Sequence, residues 1–75
     1  MKLIKEKAFE KALYHLDERN RFKKEYGEFD RMTCIQQAKY SAVKELIYEI
    51  GYGAEWEAFL SDIFEKRMKA KELGL

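Results

Sequence analysis

The segment Leu46-Ile47-Tyr48-Glu49-Ile50-Gly51-Tyr52-Gly53-Ala54-Glu55-Trp56 decides how this chain folds. Up to Ile50 the apolar residues keep a helical spacing, and beyond Ala54 they resume it, with Tyr52 set between two glycines. Gly51 closes a helix as the C′ residue, and Tyr52 supplies the apolar contact that accompanies such a stop. So short a connection makes the helices on either side antiparallel neighbours.

Upstream of the turn, Ile35, Ala42, Val43, Leu46, Ile47 and Ile50 share one arc of a helix over about residues 31–50. Its start has two competing caps. Asp30 can accept from the first turn directly, or Thr33 and Gln36 can form a capping box. Downstream, Trp56, Phe59, Leu60, Ile63, Phe64 and Ala70 occupy one face of a helix over about 54–72, which ends near Gly74. A first helix, about 2–26, carries Phe9, Ala12, Leu13 and Leu16 at three- and four-residue spacing and stops at Gly27. No proline interrupts the chain, and no stretch alternates with the period of a strand. The expectation is an all-α single domain over residues 1–75, a small three-helix up-down-up bundle.

At 75 residues the core is small. Below roughly 70–80 residues one core seldom supplies more than about 3–5 kcal/mol without help. The first helix also carries Ala8, Ala12, His15, Arg19, Phe22 and Tyr26 at a mean spacing near the seam period of a coiled coil, a sign of a second packing surface. Homodimerisation is the expected completion of the bundle, with Phe22, Tyr26, Tyr40, Tyr48 and Trp56 as contact residues. Tyr48 lies well off the apolar arc and is the best placed of these for the surface.

The single cysteine, Cys34, excludes an intramolecular disulfide and a four-thiolate zinc site within one chain, which points to a reducing compartment. Residues 1–7 lack the apolar run of a signal peptide, and no run of eighteen apolar residues occurs, so a cytoplasmic protein without membrane association is expected. The proline-free, Lys- and Glu-rich composition is in the style of small bacterial or phage accessory proteins.

The net charge of +1 excludes a large uniform field, yet the charges are segregated. Basic residues dominate 1–24 and 66–75, and acidic residues dominate 25–65. In an up-down-up bundle the C-terminal ends of the first and third helices share a pole, gathering Arg19, Arg21, Lys23, Lys24, Lys66, Arg67 and Lys69, with Arg31 nearby. This basic pole is the alternative functional surface, suited to nucleic-acid phosphates, although cations at helix C-termini also complement the dipole. A helix-turn-helix reading is disfavoured because the presumed recognition helix opens with Glu55 and Glu57, followed by Asp62 and Glu65. Around the second turn Glu45, Glu49, Glu55, Glu57 and Asp62 form an acidic region, in which Glu45 and Glu49 sit at the helix end the dipole does not favour.

Chemistry has few candidates. His15 is the only imidazole and Cys34 the only thiol, and the hairpin geometry separates them along the helices. Ala12 stands three residues before His15, where a di-metal E-x-x-H pair needs Glu. No phosphate loop or nucleophile elbow occurs. The expectation is a non-enzymatic protein-protein interaction module with no cofactor, metal or small-molecule substrate.

Overall fold

Three α-helices, α1 (Lys2–Tyr26), α2 (Arg31–Glu49) and α3 (Gly53–Glu72), make up the chain in the computed structural model, which describes residues 2–74, with side chains from Lys5 onward. No strand occurs among the described residues, so the all-α expectation holds. None of these helices is long and apolar enough to cross a membrane.

Each boundary has a local cause. Gly27 adopts φ +99°, the left-handed region that glycine enters without a steric penalty, and its N–H donates to the Lys23 carbonyl at 2.9 Å. The choice of cap at α2 falls to Asp30, whose carboxylate accepts from the Met32 N–H at 2.9 Å. Thr33 and Gln36 are thereby left for tertiary bonds. The Thr33 hydroxyl donates to the Gly27 carbonyl at 3.0 Å and ties the first inter-helix loop to α2. At the second turn the Gly51 N–H donates to the Tyr48 carbonyl (3.1 Å) and the Tyr52 N–H to the Ile47 carbonyl (3.0 Å), the paired bonds of a Schellman stop. The turn is as short as expected but sits one residue earlier in the chain. α2 ends at Glu49 and α3 starts at Gly53, because the Tyr52 carbonyl already accepts from the Trp56 N–H at 2.8 Å.

The core sits where the three helices meet. Phe9 and Ala12 of α1, Ile47 of α2 and Trp56 of α3 are buried together, with Leu13, Tyr40, Val43, Phe59 and Leu60 packed around them. The Phe9 ring meets Trp56 edge-on at 5.6 Å and Phe59 at 5.3 Å, and Trp56 stacks on Phe59 at 5.7 Å. Such aromatic pairs add about 0.5–1.5 kcal/mol each beyond the area they bury. Trp56, 1% exposed, is thus the anchor that holds α3 to the hairpin.

Close backbone packing is concentrated between α1 and α2. The coiled-coil-like row of α1 belongs to this interface: Ala12 and His15 are buried and Arg19 and Phe22 half-buried. The middle of that row is therefore not free for another chain, because Gln36 and Gln37 of α2 bond to His15 and Arg19, whereas Tyr26 at its end is exposed. α3 runs in the same direction as α1, as the ion pairs Lys5–Glu55 and Asp17–Arg67 show, and this is the up-down-up order. The molecule measures 36 × 35 × 17 Å, and its radius of gyration of 13.6 Å exceeds the roughly 11 Å of a compact domain this long. α3 leans on the hairpin without enclosing it.

Candidate interaction surface

The flat arrangement leaves apolar side chains partly uncovered. On α2, Ile47 is fully buried while its sequence neighbour Leu46 is 52% exposed, and Ile50, which caps the helix, is 48% exposed; Ala38 and Ala42 also lie open. On α3, Phe64 and Met68 are 40% and 65% exposed. The apolar arcs of α2 and α3 are wider than one contact line with α1 can cover. α2 consequently stands as a ridge between two grooves. One, of about 320 Å³, is lined by Arg19, Lys23, Cys34, Gln37 and Ala38 among others, and the second, of about 370 Å³, by Lys11, His15, Lys39, Ala42 and Val43.

The expected contact residues fall in different environments. Tyr26 is exposed at the end of α1, where its ring stacks on the half-buried Phe22 at 6.2 Å. Tyr40 is half-buried beside Trp56. Trp56 itself lies in the core, since the tight second turn carries the first turn of α3 directly over Phe9 and Ile47. Tyr48 is exposed on one side, as expected, but its other side covers the backbone of Gly53, and its hydroxyl donates to Glu57 Oε1 at 3.1 Å. Desolvation, then the bond to Glu57, raises the Tyr48 pKa above the ordinary phenol value.

Four of the basic residues of the expected pole are paired with carboxylates. Arg67 makes two bonds of 2.9 Å to the Asp17 carboxylate, Lys66 pairs with Asp62 at 3.1 Å and Lys69 with Glu65 at 3.6 Å. Arg21 binds Glu18, with Glu25 at 4.0 Å. Arg19 donates to Gln37 Oε1 at 3.0 Å and to Asn20 Oδ1 at 2.6 Å, while its Nε is enclosed without an acceptor among the described residues. Lys23, Lys24 and Arg31 form no ion pair among the described residues.

Of the acidic group, Glu55 pairs with Lys5 at 2.7 Å, a bond that raises the Lys5 pKa, Glu57 accepts from Tyr48, and Asp62 is taken by Lys66. Glu45 and Glu49 have no such partner among the described residues. They are exposed toward the C-terminal end of α2, whose last turn carries no basic residue.

His15 and Cys34 stay apart in their bonding. His15 Nδ1–H donates to Gln36 Oε1 at 2.8 Å inside the α1–α2 interface, whereas the exposed Cys34 thiol faces the Glu28 carbonyl at 3.9 Å. No group of three or more potential metal ligands occurs among the described residues. The buried His15–Gln36 bond escaped the sequence reading, which placed His15 on a seam but held Gln36 for the capping box. The signal was the α1 spacing itself, since a polar residue on a helix–helix seam needs a partner opposite. No protein-family model matches the chain, and no curated protein or solved structure matches it either.

Proposed function

We propose that this chain is a non-enzymatic interaction module of a reducing, cytoplasmic setting that works as a homodimer. The carrying observation is the exposed apolar ridge of α2 and its C-terminal cap, with Leu46 52% and Ile50 48% open to solvent although Ile47, next to Leu46, is fully buried. Apolar side chains left open together along one helix face are a feature of protein-protein contact sites. The thin, open shape supports the same reading, because a second copy would complete the bundle that α3 leaves unfinished. The ion pairs of Arg21, Lys66, Arg67 and Lys69 weaken the nucleic-acid alternative by satisfying cations that phosphate would need.

Sedimentation equilibrium over a range of protein concentrations, at low and high salt, tests the proposal. A dimer that persists at both salts supports it. A monomer throughout removes it and turns attention to a different protein partner; added duplex that sediments with the chain only at low salt favours the basic pole.

A further inference from the structure

The outer face of α2 carries a pattern that says how two copies would meet. Arg31, Ile35, Ala38, Ala42, Leu46 and Glu49 follow one another at steps of four, three, four, four and three, so they form one stripe. All are exposed except the half-buried Ile35. The stripe has a cation at its start, alanines at its middle and a carboxylate at its end, with Glu45 one turn before Glu49.

These charges oppose the helix that bears them. Arg31 is the first residue of α2, at the positive end of the dipole, and Glu45 and Glu49 lie toward its negative end. The two glutamates are also like charges four residues apart, a destabilising pair. Among the described residues none of the three enters an ion pair. They cannot pair with one another within one chain, since Arg31 and Glu49 are about 27 Å apart along the axis.

A second copy of α2 laid antiparallel supplies the remedy at both ends at once. We infer that the homodimer forms by antiparallel pairing of α2 with the α2 of a second copy, centred on Ala38 and Ala42, with Arg31 of each chain against Glu49 and Glu45 of the other. The stripe is self-complementary about Tyr40. Arg31 then stands opposite Glu49 of the second copy and Ala38 opposite Ala42, with Leu46 within one residue of the level of Ile35. The central alanines let the two axes approach closely, and the antiparallel dipoles attract. A two-fold interface of this kind repeats every contact, so each ion pair counts twice. This inference rests on the homodimer proposed above and adds its surface and orientation.

Charge reversal at the two ends tests it. Arg31→Glu alone, or Glu45→Arg with Glu49→Arg, is expected to raise the dimer dissociation constant at least about tenfold by placing like charges face to face. All three changes together restore it to within about threefold, because the pairing is re-formed with opposite sign. Circular dichroism on each variant confirms that the helices persist. The native Cys34, exposed and unique, provides the orientation: a spin label there broadens amides around Leu46 of an isotope-labelled second copy in the antiparallel register. Wild-type chains that dimerise while the reversals leave the dissociation constant unchanged overturn the inference and leave the dimer proposal standing. Broadening centred on residue 34 of the other copy, the sign of parallel pairing, overturns it as well. A wild type that stays monomeric overturns both.

Discussion

Arg67 holds Asp17 with two parallel bonds of 2.9 Å, joining the C-terminal half of α3 to the middle of α1 across fifty residues of chain. Lys5 and Glu55 have the same separation in sequence, so the two bridges fix α3 and α1 in parallel register over twelve residues, about 18 Å of helix. Beyond Ile63 α3 buries little, which makes the Arg67 bridge the main polar restraint there. Both side chains are about half exposed, and exposed pairs contribute about 0.2–1 kcal/mol. A double-mutant cycle with Arg67→Ala and Asp17→Ala is expected to return a coupling in the upper half of that range at low salt, fading toward zero in molar salt. A coupling independent of salt would count against this account.

Trp56 is the stronger attachment. Trp56→Ala is expected to cost about 3–5 kcal/mol, enough to detach α3 or unfold so small a domain, and Trp56→Phe distinctly less. Urea unfolding by circular dichroism reads both. Since Trp56 is the only tryptophan and 1% exposed, wild-type unfolding is also reported by a red shift of its fluorescence.

The buried bond from His15 to Gln36 predicts an asymmetry. Gln36→Leu strands the His15 Nδ1–H in the α1–α2 interface and is expected to destabilise by about 1–3 kcal/mol. Adding His15→Leu removes the stranded donor and recovers most of that loss. Unfolding midpoints of the two variants give the comparison, and a double variant weaker than Gln36→Leu alone contradicts the reading.

Gly53→Ala has the opposite sign from its helix propensity. Alanine in a helix normally gains up to about 1 kcal/mol over glycine. At Gly53, however, a Cβ would collide with Cδ1 and Cε1 of the Tyr48 ring. Overpacking of this kind costs about 1–3 kcal/mol. The substitution is therefore expected to destabilise the wild type, and to stabilise a Tyr48→Ala background in which the ring is gone.

Tyr48 also gives the fold an alkaline signature. Its pKa stands above the 10.0 of a free phenol, first through desolvation and then through the bond to Glu57. The protonated form is thus favoured in the native state. The associated stability is fully present below pH 10 and is lost as pH climbs through the higher native value. Phenolate absorbance during alkaline titration, compared with Tyr48→Phe, isolates this group. Glu57→Gln brings the titration only part of the way back, because desolvation is the larger cause.

The helices and their limits were legible in the residues because each is set within a turn or two of chain. Gly27 and Gly51 at positive φ, Asp30 as a cap and the three- and four-residue apolar spacing act on their own neighbours. The choice between Asp30 and Thr33 was not legible, since Thr33 is recruited by the Gly27 carbonyl and Gln36 by His15, and both bonds exist only once α1 and α2 meet. The same holds for Trp56 and Tyr48, alike as surface aromatics in the sequence. The tight second turn drives one into the core and lays the other over Gly53. Nor could composition reveal that Arg67 of the basic pole is taken up by Asp17, because that bridge depends on how α3 lies along α1. Local bonding and periodicity decide where helices begin and end. Which face of each is covered, and which stripe of α2 stays open, depends on satisfying all three helices at once, and only the packed chain does that.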